Sequence, residues 1–406
     1  MALIPLATAR SRVLAACSPL PAASVTLAEA LGLVTTAAVD APEPVPPFDN
    51  TAMDGYAVRA ADTAGAPVHL RVVGSLAAGA APGVPVGAGE AVRIMTGAPM
   101  PAGADAIVMV ERTSTVDGGT SVLIEVAAQA GDHVRRAGDD LVAGQEVFPA
   151  GTQLSPGHLG VLASTGRTAV EVVRRARVGV LSTGDELVDD GSPLRLGQIR
   201  DSNRLTLLGL VHEAACEAVD LGRCGDSEDD IRSALSAGTA TCDAVVTSGG
   251  VSVGDFDYVK VVLDELSGGS MVWMQVAVKP AKPLAFGVVG GTPVFGLPGN
   301  PVSSMVSFEL FARPALRKMM GHPPSQLDRP RVIAVTDEPL PRRPDGKVHL
   351  VRVRAAAEED GRYHVRSTGA QQSHLLWAMA RANALAVLPD GTGVDQGGTV
   401  QVMLLA

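Results

Sequence analysis

Apolar and polar positions change their period along this chain, and the changes mark out units. Between residues 68 and 147, short apolar runs (HLRVV, AVRIM, DAIVMV, SVLIEV) alternate with Gly- and Pro-containing turns, which predicts a β-rich unit. From Arg177 the period is mixed. Apolar runs at 177–181, 218–221 and 243–246 are separated by helical spacing at about 202–215 and 227–237. This alternation predicts a mostly parallel, doubly wound sheet covered by helices. Beyond Pro330, RVIAV, VHLVRVRA, RYHVRS, ALAVL and TVQVMLL read as five strands, enough for a small barrel or sandwich.

The ends and joints are less regular. Residues 4–17 and 27–39 read as short helices or extended arms around a Pro-containing turn at 18–22. Pro42-Glu43-Pro44-Val45-Pro46-Pro47 is a stiff linker, because proline fixes φ and disfavours helix in the residue before it. Residues 141–166 return to linker-like and helical character. The expected division is therefore an elongated N-terminal and linker unit (1–45 with 141–175), an inserted β-rich unit (46–140), an α/β unit (176–325) and a C-terminal β unit (326–406).

Composition narrows the function classes. With 46% hydrophobic but only 3% aromatic residues, the cores must be built from small aliphatic side chains. A net charge of -10 excludes a general nucleic-acid surface. Cys17, Cys216, Cys224 and Cys242 lack C-x-x-C spacing, so buried thiols in a reducing compartment are expected rather than a zinc site. Leu14-Ala15-Ala16-Cys17 imitates a lipoprotein cleavage box, but Arg10 and Arg12 interrupt the apolar stretch such a leader needs. No run is long enough for a membrane helix. A soluble, cytoplasmic protein is expected.

The chemistry concentrates in loops. TSGGVSVGDFDYVK (247–260) follows an apolar run and precedes Val259, Val262, Leu263 and Leu266 at helical spacing, so it reads as strand, loop, helix. Such a loop can offer N–H groups and hydroxyls to phosphate oxygens, with Asp255 and Asp257 placed for a phosphate-bound magnesium. A glycine-rich turn capped by aspartates is the plainer reading. The loop 182–186 should converge with it at the C-terminal strand ends. Lys279 and Lys282 in KPAKP are the cations that could assist a helix start at Asn300-Pro301, an arrangement suited to an oxyanion. Proline-stiffened exposed lysines are the alternative. The chain has no G-x-x-x-x-G-K-[ST], H-E-x-x-H or G-x-S-x-G, and its histidines, His158, His212 and His374 among them, show no ligand spacing.

Taken together, PPFDNTAMDGYAV, RIMTGAPMPAGADAIVMVE, LSTGDELV, GQIRDSN, TSGGVSVGDFDYVK, KPAKP and GLPGNPVSS resemble, in order and over nearly the whole chain, the molybdopterin molybdenumtransferases, the MoeA family, whose relatives include the gephyrin E domain. The resemblance implies a multidomain α/β homodimer whose central domain is molybdopterin adenylyltransferase-like. It also implies molybdenum cofactor biosynthesis: molybdate is inserted into adenylylated molybdopterin with Mg²⁺-dependent release of AMP. Carried over residue by residue, it implies Asp255, Asp257 and Glu186 as magnesium or substrate-ordering carboxylates. Ser248, Gly249, Gly250 and Ser252 become phosphate or pterin contacts. Lys279, Lys282, Pro298, Pro301, Ser303, Arg352 and Ser373 become the molybdate wall. Asp54, Thr96 and Asp140 would complete the crevice from a partner subunit. Implied partners are the adenylyltransferase that supplies the substrate and the apo-molybdoenzymes that take the product.

Two departures stand out: Ala281 where the family often has glycine, and Gln275 where many members have lysine. Two other functions remain open from sequence, namely adenylyl transfer itself and a non-catalytic gephyrin-like scaffold.

Overall fold

The computed structural model describes residues 3–250 and 258–405. Its centre is a six-stranded sheet in the order Glu217–Cys224, Arg177–Thr183, Ala244–Ser248, Thr292–Leu297, Pro283–Val289, Val272–Gln275. The first four strands run parallel, with Val180 paired to Asp220 on one side and Val246 on the other. The last two are antiparallel. Val178, Val180, Ala244 and Val246 are all buried, as strands covered on both faces require.

Helices Asn203–Glu213 and Glu228–Thr241 form the crossovers. The second starts at Ser227, whose hydroxyl accepts from the Asp230 N–H, and its first turn carries Glu228, Asp229 and Asp230 against the positive helix end. Because the chain leaves the strand Arg177–Thr183 in one direction and returns beyond it in the other, a crevice opens between its C-terminal end and that of Ala244–Ser248.

The five C-terminal strands expected from the sequence close on themselves. Val348–Ala357 pairs with Tyr363–Ser367, then Arg331–Thr336, Thr399–Leu404 and Ala384–Leu388, which pairs back to Val348–Ala357. Alanines 334, 355, 384 and 386 fill the interior with Val353, Val365 and Val402. The short strand Val278–Lys279 runs parallel to Val348 and His349 and ties this barrel to the α/β unit. One apolar cluster spans both: Phe295, Phe308 and Leu316 share it with Leu350, Met379, Leu385 and Met403.

A second six-stranded sheet, from Gly55–Val58 to Ser121–Ile124, has its own cores, one around Tyr56, Val108 and Ile124 and one around Ile94 and Ile107. The N-terminal arm differs from a helical reading of 27–39. Ala22–Thr26 and Val34–Thr35 flank Ala169–Val173 in a three-stranded sheet, and Val39–Asp40 pairs with Glu146–Phe148. Helix Leu6–Ala15 buries Ala9 and Val13 in the α/β core. All four cysteines are buried and free. Among the described residues no helix is long and apolar enough to cross a membrane.

Candidate functional site

The crevice at the strand switch encloses about 440 Å³ and is lined by Ser182, Thr183, Glu186, Asp201, Asn203, Ser248, Gly249, Asn300, Pro301 and His374, among others. Gly249 (φ 99°) and Gly250 (φ 65°) carry the chain away from the strand end. A Cβ on Gly250 would lie 2.3 Å from Val259 Cγ2, so only glycine lets the loop pass this close to the following helix. The Gly249 N–H does not face a ligand; it donates to the Leu297 carbonyl at 3.2 Å.

Asn203 is the joint of this crevice. Its Nδ2 donates to Ser248 Oγ and to the Gly299 carbonyl, both at 2.7 Å. Because Ser248 Oγ accepts that bond, its own proton remains available to donate elsewhere. Among the described residues Asn203 Oδ1 is buried without a partner. Asp201, also buried, accepts from Ser182 Oγ at 3.2 Å and from the Arg204 N–H at 3.1 Å, which fixes the turn before the helix. Both residues lie in GQIRDSN. No individual residue of that segment was singled out from the sequence, although a run of polar residues before an apolar helix was the signal available.

A second cavity of about 420 Å³ contains Lys279, Arg342, His349, Gln371 and Gln372. The loop 369–375 joins it to the crevice. Gln371 and Gln372 line one, His374 lines the other, and the carbonyl of Ser373 accepts the Val302 N–H at 3.1 Å in the first turn of the helix that begins at Pro301. Asn300 occupies the N-cap position, but its side chain makes no capping bond.

Arg352 lies beneath this loop, fully buried. Nη2 donates to the carbonyls of Ala370 (2.8 Å) and Gln372 (3.3 Å), while Nε and Nη1 have no partner among the described residues. Burial without a carboxylate pushes its pKa down. Lys279 and Lys282 are exposed; Lys282 lines neither cavity, and nor do Pro298 and Ser303, which are buried. Ala281 between the lysines adopts φ 78° with its side chain buried. The departure from glycine therefore leaves the left-handed turn in place.

Asp54 and Thr96 meet directly. The Thr96 N–H and hydroxyl both donate to Asp54 Oδ1 at 2.7 Å. Asp49 beside them accepts from Arg136 Nη1 (2.6 Å) and the Ala137 N–H (2.9 Å). Asp140 is exposed and gives its N–H to Val45. None of these three sequence-chosen residues, Asp54, Thr96 or Asp140, lines the crevice of its own chain. Ser252, Asp255 and Asp257 lie outside the described residues.

A model of the MoeA N-terminal region (domain I and II) matches residues 4–166, a probable molybdopterin binding domain matches 179–318, and the MoeA C-terminal region (domain IV) matches 334–405. The molybdopterin molybdenumtransferase of Haemophilus influenzae is 39% identical over 93% of this chain and 92% of its own. The chain belongs to the MoeA family. Molybdopterin molybdenumtransferase 2 of Mycobacterium tuberculosis is 41% identical over 96% of this chain and 95% of its own. The solved molybdopterin biosynthesis MoeA protein of Pyrococcus horikoshii aligns with a TM-score of 0.81 at 27% identity, covering 99% of this chain and 100% of its own.

For a MoeA-family chain the implied metal is magnesium. Among the described residues no group of three or more His, Cys, Asp or Glu side chains is disposed to hold a metal. Of the two carboxylates lining the crevice, Asp201 is taken by Arg204. Glu186 remains. One carboxylate among hydroxyls fits a hard cation that takes its other ligands from substrate phosphates and water.

Proposed function

We propose that this MoeA-family chain is a molybdopterin molybdenumtransferase, which inserts molybdate into adenylylated molybdopterin and releases AMP. The observation that carries this reading is the loop 369–375, which makes a hydroxyl-lined crevice and the cavity that contains Lys279 neighbours. In this reading the Ser248 hydroxyl, held as a donor by Asn203, binds a diphosphate oxygen. Lys279 and Lys282 offset the charge of the tetrahedral molybdate dianion, and Arg352 beneath the loop lends its uncompensated charge. Glu186, with Asp255 and Asp257, would hold magnesium, which supplies charge neutralisation on the diphosphate when bound. Asp54, Thr96 and Asp140 would reach the crevice from a second copy, making the active form a homodimer. A cytoplasmic enzyme fed by an adenylyltransferase and serving apo-molybdoenzymes is consistent with these substrates.

The test is direct. Purified chain incubated with adenylylated molybdopterin, molybdate and Mg²⁺ should release AMP, and no release from substrate that a known enzyme turns over would overturn the reading. Asp257→Asn should retain the dimer and lose Mg²⁺-dependent release; a wild-type rate in that variant would remove the loop from the mechanism.

A further inference from the structure

The last helix of the α/β unit, Arg313–Met319, and the first barrel strand, Arg331–Thr336, enclose a cavity of about 530 Å³ unrelated to the crevice. Arg313 lies on the same continuous helix as Pro301 but about 18 Å further along it, at 1.5 Å per residue. The cavity is lined by Arg313, Arg317, Arg329, Arg331 and Asp328, with Ser325 and Gln326. Arg10, Glu213 and Glu309 contact these groups from neighbouring elements.

The carboxylates here are already committed. Arg329 donates Nε to Glu309 Oε2 at 3.0 Å and Nη2 to Glu309 Oε1 at 2.9 Å, and also pairs with Glu213. Asp328 is held by Arg10 Nη2 at 2.7 Å. Three guanidinium groups are left over. Among the described residues Arg313, whose side chain is 9% exposed, has only a 3.8 Å approach from Nε to Glu309, no hydrogen-bond partner at Nε, and a 3.2 Å bond from Nη1 to the Glu213 carbonyl. Arg317 gives Nε to the Gln326 carbonyl (2.6 Å) and sets Nη2 beside His322 Nδ1 (3.2 Å). Arg331 has Gln401 Oε1 at 3.0 Å. Neither of the last two forms an ion pair among the described residues.

Five arginines thus face three carboxylates in a chain whose net charge is -10. His322 does not change the balance, since burial and Arg317 keep it neutral. Arg313 is buried and Arg317 half-buried without a full countercharge, which is unfavourable, and exposed Arg331 lines the same cavity; a tetrahedral oxyanion that accepts several N–H bonds at once is the chemical complement.

We propose that this cavity is a second anion site, one that takes the phosphate group of a small phosphomonoester. Its volume exceeds what a bare oxyanion fills and lies in the range of small-molecule pockets. The site rests on the arginine arrangement alone, so it stands or falls separately from molybdate transfer.

Calorimetric titration of the full chain with inorganic phosphate and with glycerol 3-phosphate, which is not a product of the crevice, tests it, using a Lys279→Gln/Lys282→Gln background to silence the lysine wall. Saturable binding should persist in that background, with glycerol 3-phosphate tighter than phosphate and the two competing. Arg317→Gln/Arg331→Gln should weaken it by at least about tenfold, the effect of losing a charged hydrogen-bond partner. Arg331→Gln alone, which alters an exposed side chain bonded only to Gln401, should weaken it several-fold and guards against a folding artefact. Loss of binding in the lysine background, equal affinity in the arginine variants, or no saturation by about 10 mM ligand would each overturn the proposal.

Discussion

Thr96 gives both its backbone N–H and its hydroxyl to a single oxygen of Asp54, each at 2.7 Å. These bonds hold the carboxylate below its ordinary range, the N–H first and the hydroxyl second, with Arg93 adding. Asp54 is therefore ionised wherever the enzyme works, and the stability it lends is present above the usual carboxylate pKa and fades as pH falls through its own. Thr96→Val keeps the N–H bond and removes the hydroxyl. The Asp54 pKa should move part of the way back up in an NMR titration, and AMP release should fall by about tenfold if the pair completes a partner's site.

Asn203 ties two walls of the crevice with one amide group. Asn203→Ala should cost about 0.5–1.5 kcal/mol in a urea melt, the usual net worth of a hydrogen bond, because the Gly299 carbonyl it releases is exposed and can turn to water. The larger effect should be in KM for the pterin substrate, because Ser248 is then free to turn its hydroxyl away. Asn203→Asp should be worse than alanine, since it sets a charged carboxylate oxygen against the Gly299 carbonyl, acceptor to acceptor; equal KM values in wild type and both variants would remove Asn203 from substrate positioning.

Ala281 sits at φ 78° with a buried methyl group. Left-handed backbone costs a non-glycine residue roughly 1 kcal/mol, and burying one methyl returns about 0.8 kcal/mol. Ala281→Gly should consequently change stability by less than about 1 kcal/mol. Ala281→Val, β-branched in the same conformation, should lose more than about 2 kcal/mol in the same denaturant melt.

His322 is buried against Arg317, and burial first, then that charge, pushes its pKa down to about 4. An unfolded histidine binds its proton near 6.5, so the folded form binds fewer protons between the two values. The neutral ring's contribution is fully present above about pH 6.5 and is lost as pH falls toward 4. Thermal melts over that interval should show stability falling by roughly 3 kcal/mol more in wild type than in His322→Gln.

Local pattern was enough to read the C-terminal strands and the strand–helix alternation after Arg177, because each element there carries its own period. Residues 27–39 were ambiguous for the opposite reason. Val34 and Thr35 become a strand only by pairing with Val172 and Val173, far along the chain, and no local signal announces that partner. The same contrast holds at the site. Ser248, Gly249, Glu186 and Pro301 sit in recognisable loops and do line one crevice. Asn203 and Asp201 look like an ordinary polar helix start until Ser182, Ser248 and Gly299 are folded against them. The burial of Arg352 is invisible in a strand that reads VHLVRVRA, where arginine alternates with apolar residues like any exposed cation.

The apolar cluster that runs from Phe295 and Phe308 into Leu350, Leu385 and Met403 bears on how the molecule comes apart. Neither the barrel nor the α/β unit can lose its partner without wetting that shared seam, so the two melt as one cooperative block. The inserted sheet keeps its cores to itself and is free to open on its own. Hydrogen exchange would then sort the chain into a slow block containing the crevice and a separately exchanging one that carries Asp54 and Thr96.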